Sequence, residues 1–119
     1  MELLGQMDAA GVARNTITYN AAISACGKGG QWKKALELLG QMVAAGVAPD
    51  NITYNTAISA CEKGGQWKKA LELLGQMDAA GVALDTITYS AAISACEKGG
   101  QWEKALELLG QMDAAGVAR

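Results

Sequence analysis

The feature that most constrains the fold of this chain is a tetrapeptide that returns every 35 residues. Ile17-Thr18-Tyr19-Asn20 recurs as Ile52-Thr53-Tyr54-Asn55 and, with its last residue changed, as Ile87-Thr88-Tyr89-Ser90. One cysteine and one tryptophan per copy keep the same spacing: Cys26, Cys61, Cys96, and Trp32, Trp67, Trp102. A period of this length is typical of solenoids, in which one supersecondary unit is stacked repeatedly.

Each 35-residue unit is predicted to contain two helices. In the first, apolar residues from Tyr19 to Cys26 fall at i, i+3, i+4 and i+7, which is a helical period. Thr16 or Thr18 is a candidate N-cap, and the pattern does not choose between them. Gly29-Gly30 ends the helix, because each glycine inside a helix costs about 1 kcal/mol relative to alanine.

The second helix has an apolar face from Trp32 to Met42. Gly46 is expected in the left-handed conformation just past its end, with Val47 folding back onto Met42 in a Schellman ending. Gly40 lies within this helix, where glycine is unfavourable. We interpret Gly40 as a site where a neighbouring helix approaches closely. The alternative is that this glycine has a functional role.

A single two-helix unit cannot bury both its apolar stripes, so the units are expected to stack into one continuous core. The predicted organisation is a half unit over residues 1–15, full units over 16–50 and 51–85, and a third unit over 86–119 that lacks its last residue. The mid-unit start suggests a piece of a longer array. Neither end shows a polar capping helix, so end-to-end self-association through the uncapped faces is a further expectation.

Composition excludes several function classes. The formal net charge is −2, which argues against nucleic-acid binding by bulk electrostatics alone. The chain has no histidine, no Cys-x-x-Cys pair and no Gly-rich phosphate loop, so we expect no metal, cofactor, small-molecule substrate or catalytic activity. Equivalent cysteines in stacked helices lie about 10 Å apart, too far for a disulfide, and are expected to be buried and reduced. No apolar run approaches the roughly 18 residues of a membrane span.

The motif residues resemble the pentatricopeptide repeat (PPR) of the plain 35-residue type over essentially the whole chain. They are Ile-Thr-Tyr-Asn, then Ala-Ile-Ser-Ala-Cys, Ala-Leu-Glu-Leu-Leu and Gly-Val-Ala-Pro-Asp. The related tetratricopeptide repeat has a 34-residue period and lacks the Thr-Tyr-Asn opening and the closing Asp. The resemblance implies an all-α, right-handed α-solenoid of helix-turn-helix repeats that binds single-stranded RNA at one base per repeat.

In the PPR family the fifth and thirty-fifth residues of each unit read the base. They correspond to Asn20 with Asp50, and to Asn55 with Asp85, while the third unit offers only Ser90. In the family, the combination of Asn and Asp is associated with uracil, and Ser at the fifth position with a purine. The resemblance therefore implies that the chain prefers the RNA sequence 5′-U-U-purine-3′. Asp50 and Asp85 have the alternative role of carboxylates that cap the following helix.

The resemblance implies further contacts to RNA. The second residue of each unit is an aliphatic wedge that sandwiches neighbouring bases, with plain core packing as the alternative: Ile17, Ile52, Ile87. The thirteenth residue is a lysine that contacts phosphate, with a solvated helix end as the alternative: Lys28, Lys63, Lys98. The tryptophans open the second helix and are expected to pack between units rather than stack on bases.

The sequence therefore predicts a sequence-preferring, non-enzymatic RNA-binding module. A protein-interaction scaffold of the tetratricopeptide kind is the alternative, although a peptide groove gives no reason to repeat the Asn and Asp pair. PPR proteins usually work in organelle RNA metabolism, in mitochondria or chloroplasts. Because the chain shows no transit peptide, its compartment is left open.

Overall fold

The computed structural model describes residues 15–117, and all secondary structure in that range is α-helical. The six helices are α1 (Thr16–Lys28), α2 (Trp32–Ala44), α3 (Asn51–Lys63), α4 (Trp67–Ala79), α5 (Thr86–Lys98) and α6 (Trp102–Ala114). They form three helix pairs with the predicted order and period. The predicted half unit over residues 1–15 lies outside this range except for Asn15, as do the last two residues of the third unit.

The first helices of consecutive pairs stack directly on one another, α1 on α3 and α3 on α5. Each second helix packs against the first helix of its own unit and, for α2 and α4, against that of the following unit. This arrangement is an all-α solenoid, elongated over 47 × 26 × 20 Å. No helix in the described part of the chain is long and apolar enough to cross a membrane.

The core runs unbroken through the three units. It is built from the apolar stripe of each first helix, such as Tyr19 and Ile23, and from the inner face of each second helix, such as Leu38 and Met42, which are all nearly or fully buried. Cys26, Cys61 and Cys96 are buried, as expected, and no disulfide joins them. Burial raises the pKa of the Cys61 thiol to about 11, so this thiol is inert at neutral pH.

The helix starts correct one prediction. Neither Thr16 nor Thr18 is the N-cap of α1, because Asn15 precedes the helix and its Oδ1 accepts a hydrogen bond from Thr18 N at 3.0 Å. Asp50 and Asp85 occupy the same place before α3 and α5. A side-chain oxygen one residue before the helix reaches the free N–H of the first turn.

The predicted helix ends are confirmed. Gly46 has φ +77°, and the N–H of Val47 donates to the carbonyl of Met42 at 3.0 Å, which is the Schellman pattern. Gly30 has φ +74°, and the N–H of Gln31 donates to the carbonyl of Cys26 at 2.8 Å. Glycine is suited to both positions because L side chains rarely adopt this backbone conformation.

Two of the three tryptophans, Trp32 and Trp67, pack between units, as predicted. Trp32 lies against Gly64 of the next unit, where an added methyl group would lie 2.8 Å from Trp32 Cγ. Trp67 makes the same contact with Gly99, at 2.9 Å. Trp102 of the third unit is 67% exposed. A closely packed glycine at the end of α3 and another at the end of α5 therefore form part of the contact with the preceding unit.

The interpretation of Gly40 and its equivalents is wrong. A Cβ at Gly40, Gly75 or Gly110 would meet nothing within 4 Å outside its own helix, so no neighbouring helix uses the missing side chain. The reason is that α2 and α4 do not pack closely against each other beside Gly40. An open outer groove of about 440 Å³, lined by residues that include Leu36 and Gly40, separates α2 from α4.

Candidate functional site

The candidate site lies on the row of first helices. A groove of about 330 Å³ follows α1 and α3 and reaches the start of α5. Three kinds of predicted site residue line it: the base reader Asn55, the wedge residues Ile52 and Ile87, and the lysines Lys28 and Lys63. Residues of different units, predicted separately from their place in the repeat, thus share one surface.

The two base-reading positions of each complete unit are in direct contact. Asn20 Nδ2 donates to Asp50 Oδ1 at 3.3 Å, and Asn55 Nδ2 donates to Asp85 Oδ1 at 3.2 Å. In each case 30 residues of sequence separate the partners. The stacking of each first helix on the next one brings the closing Asp of a unit, which directly precedes that next helix, beside the Asn near the start of the unit's own first helix.

A buried threonine joins each pair. Thr53 Oγ1 forms a hydrogen bond with Asn20 Oδ1 and lies 2.9 Å from Asp50 Oδ1, so its one hydrogen serves two acceptors. It also accepts the Asp50 N–H at 3.1 Å, which completes a capping box. Thr88 makes the same contacts in the next unit. The carboxylate therefore caps the next helix and holds the reader of its own unit at once.

Thr53 and Thr88 are candidate site residues that the sequence did not indicate. Both are fully buried and polar, and both contact an Asn reader. The available signal was the spacing Asp-x-x-Thr, which repeats in Asp50 to Thr53 and Asp85 to Thr88 and matches a capping box with its two residue types exchanged.

The environment of both carboxylates favours their ionised form. Burial alone would raise the pKa of Asp50, but hydrogen bonds from the backbone and side chain of Thr53 and from Asn20 outweigh it and lower the pKa below its ordinary value. The pKa of Asp85 is lowered for the same reasons, with Thr88, Asn55 and Asn51 as donors. Both groups are therefore charged at neutral pH and act as hydrogen-bond acceptors.

The wedge isoleucines are not core residues. Ile17, Ile52 and Ile87 are 79%, 57% and 65% exposed, although their neighbours on the same helices are buried. The alternative of plain core packing is therefore wrong for these three side chains. Contact with bases stays a prediction.

The lysines differ between units. Among the described residues, no ion pair involves Lys28 or Lys63, and both line the groove. Lys98 forms an ion pair with Glu62 of the preceding unit, which the sequence did not indicate. Ser90 is exposed at the place on α5 that corresponds to Asn20 and Asn55. No group of three potential metal ligands occurs in the described part of the chain.

Comparison with known proteins places this geometry in a family. The model of the PPR repeat family matches residues 14–63 and 49–98, and that of the PPR repeat matches residues 87–117. No curated protein sequence matches the chain significantly.

Solved structures match over nearly the whole chain. The pentatricopeptide repeat protein PPR10 from maize is 27% identical with a TM-score of 0.85, and the match covers 98% of this chain and 17% of that one. PPR10 in complex with an 18-nt psaJ RNA element is 35% identical with a TM-score of 0.87, with the same coverage of 98% and 17%. The present chain thus spans about a sixth of the PPR10 chain.

A more distant structure shares the fold alone. The PPR domain of Arabidopsis thaliana protein-only RNase P 1, in complex with tRNA, is 19% identical with a TM-score of 0.84, covering 97% of this chain and 61% of that domain. The repeat period, the stacked helix pairs and the match of family models to more than half of the sequence agree. The chain belongs to the pentatricopeptide repeat family.

Proposed function

We propose that this chain is a sequence-preferring single-stranded RNA-binding module without catalytic activity of its own. The observation that carries the proposal is the same Asn, Asp and Thr arrangement in both complete units, one member of which, Asn55, lines a groove together with exposed aliphatic side chains and lysines. PPR10, whose fold this chain shares at 35% identity, has been crystallised with RNA. By family analogy, organelle RNA metabolism is the expected setting.

The held amide explains how each unit would read a base. An Asn side chain has two N–H donors and a carbonyl with two lone pairs. In Asn55 one N–H goes to Asp85 and the carbonyl receives the Thr88 hydroxyl, so the amide cannot flip without losing both bonds. One N–H and one lone pair are left for a ligand. Uracil offers the complementary carbonyl oxygen and N3–H on its Watson–Crick edge.

The rest of the groove matches the other parts of a nucleotide. Ile52 and Ile87 both line the groove around Asn55 and are mostly exposed, so a base bound there would be covered on both faces by aliphatic carbon. Lys28 and Lys63 line the same groove, which supports the proposal that they contact phosphates. This local positive charge offsets the overall charge of −2.

The expected preference is 5′-U-U-purine-3′, with Asn20 and Asn55 reading the two uracils. Ser90 offers a hydroxyl to the third base, where the family association favours a purine. With only two complete reading pairs, the affinity is expected to be about micromolar or weaker, because each base contributes roughly 1 to 3 kcal/mol.

The test is a fluorescence polarisation titration of the chain with labelled single-stranded RNA. Oligomers that contain UUA or UUG are compared with oligo-C of equal length at fixed salt, since affinity depends on ionic strength. The proposal predicts tighter binding of the uridine-containing probes. Equal binding of all probes would refute the preference, and binding of an extended peptide pool instead of RNA would support a protein-interaction scaffold.

A further inference from the structure

We propose that Glu62 competes with an RNA phosphate for Lys98, so that the row of first helices holds the RNA backbone unevenly along its length. This inference rests on the RNA-binding function proposed above and adds to it a residue that weakens binding. The two joints between units support it, because they differ at a single position near the end of the first helix, occupied by Gly27 in one unit and Glu62 in the next.

Glu62 reaches from α3 to α5. Its Oε2 forms an ion pair with Lys98 Nζ and accepts a hydrogen bond from Ser94 Oγ at 3.4 Å. The Glu62 side chain is only 15% exposed, while that of Lys98 is 50% exposed. The carboxylate is therefore held between the two helices, and the lysine that family analogy assigns to phosphate already has an anionic partner.

The preceding joint has no such carboxylate. Gly27 takes the equivalent place on α1, and a methyl group there would lie 3.2 Å from Ala60 Cβ, so the helices are close at this point. The groove lies over this joint, and its lining includes Ser59 and Lys63, the counterparts of Ser94 and Lys98. Lys63 thus faces the groove with no acidic group from the unit before it.

A phosphate that approaches Lys98 must displace the Glu62 carboxylate or share the lysine with it. Sharing brings two negative charges together, and displacement loses the ion pair. A phosphate at Lys63 meets neither cost. Removing the charge of Glu62 should therefore strengthen RNA binding and add close to one effective phosphate contact, which for single-stranded nucleic acid steepens the salt dependence by about 0.7 in log Kd per log salt.

The experiment compares Glu62→Gln with Glu97→Gln by titrating U-rich single-stranded RNA at several salt concentrations. Both changes raise the net charge by one, but Glu97 is exposed at the end of α5, where the described chain has no following unit. Glu62→Gln is expected to tighten binding about two- to fivefold more than Glu97→Gln, in line with the strength of a partly exposed ion pair. It alone should steepen the salt dependence.

A second pair of variants distinguishes a direct effect on RNA binding from an effect on folding. In the otherwise unchanged protein Lys63→Gln should weaken binding more than Lys98→Gln, whereas in the Glu62→Gln background the two losses should become similar. Circular dichroism melting checks that each variant folds, and Glu62→Gly, which copies the first unit, is the substitute if Glu62→Gln does not.

Two results would overturn the inference while the proposed function stands: equal effects of Glu62→Gln and Glu97→Gln, or a loss for Lys98→Gln as large as that for Lys63→Gln in the unchanged protein. Failure of the unchanged protein to bind any RNA probe would instead overturn the proposed function, and this inference with it.

Discussion

Alanine substitution of the glycine inside α4 tests the helix packing described above. Gly75 lies in the middle of α4 on an exposed surface, and an added Cβ would contact nothing outside the helix within 4 Å. The substitution Gly75→Ala therefore adds no clash and removes backbone freedom from the unfolded chain. We expect the free energy of unfolding to rise by about 1 kcal/mol, the usual difference between the two residues in a helix interior.

Gly99→Ala is the matched control, because it is the same chemical change at a packed glycine. The added methyl group would lie 2.9 Å from Trp67 Cγ, so the ring or the helix end must move. Overpacking of this kind costs roughly 1 to 3 kcal/mol. Gly75→Ala and Gly99→Ala should thus change stability in opposite directions.

The assay is urea unfolding followed by circular dichroism, with thermal melting as a second probe. A change of 1 kcal/mol should move the melting temperature by roughly 4 °C for a chain of this size. Gly40→Ala should behave like Gly75→Ala, and the two gains should add, since the sites lie in different units and share no contacts. Destabilisation by Gly75→Ala or Gly40→Ala would refute the open groove between the second helices and restore close helix approach as the role of these glycines.

Three further predictions concern the site and the core. The pKa values of Asp50 and Asp85 are lowered in the folded state, so their charged forms stabilise the fold above the unfolded pKa near 3.8, and this contribution is lost as the pH falls through the folded pKa. The difference in unfolding free energy between the native chain and Asp85→Asn should therefore shrink between pH 6 and pH 3 in urea titrations. A constant difference would contradict this prediction. Thr88→Val should destabilise the chain by about 1 to 3 kcal/mol, because it removes a buried hydroxyl and leaves its partners unpaired. It should also weaken binding of U-rich RNA. Unchanged melting and binding would exclude a role of Thr88 in holding Asn55. The buried Cys61 thiol, with a pKa of about 11, should react with a disulfide reagent at pH 8 at least about 100-fold more slowly than in urea, whereas equal rates would show that it is accessible.

The sequence predicted those parts of the fold that depend on local chemistry. The period of 35, the two helices per unit and the Schellman ending at Gly46 follow from apolar spacing and from the need for a left-handed residue. The packing of tryptophans between units was also predicted, because large apolar residues on the outer helix need a partner in the next unit.

What the sequence did not predict depends on how units are placed relative to one another. The open space around Gly40 follows from the groove between α2 and α4, which no local pattern records. The ion pair between Glu62 and Lys98 depends on the distance across a joint. The choice of Asn15 over Thr16 or Thr18 as the cap of α1 depends on where the helix begins, which periodicity locates only within a few residues.

The candidate site was predicted from family resemblance rather than from physical reasoning alone. Residue spacing by itself does not show that Asn20 contacts Asp50, because 30 residues separate them. The structure adds the contact, the threonine beneath it and the exposure of Ile52. Base recognition by these residues stays a prediction.

The most direct test of the proposed function is a change of base preference at one unit. Asn55→Ser is titrated by fluorescence polarisation against two RNA probes that differ only in the second base, U or G, with Thr56→Ala as a neighbouring control that also lines the groove. The native chain and Thr56→Ala should prefer U, and Asn55→Ser should shift the preference towards G. An unchanged ratio of affinities for U and G after Asn55→Ser would contradict base reading by this residue.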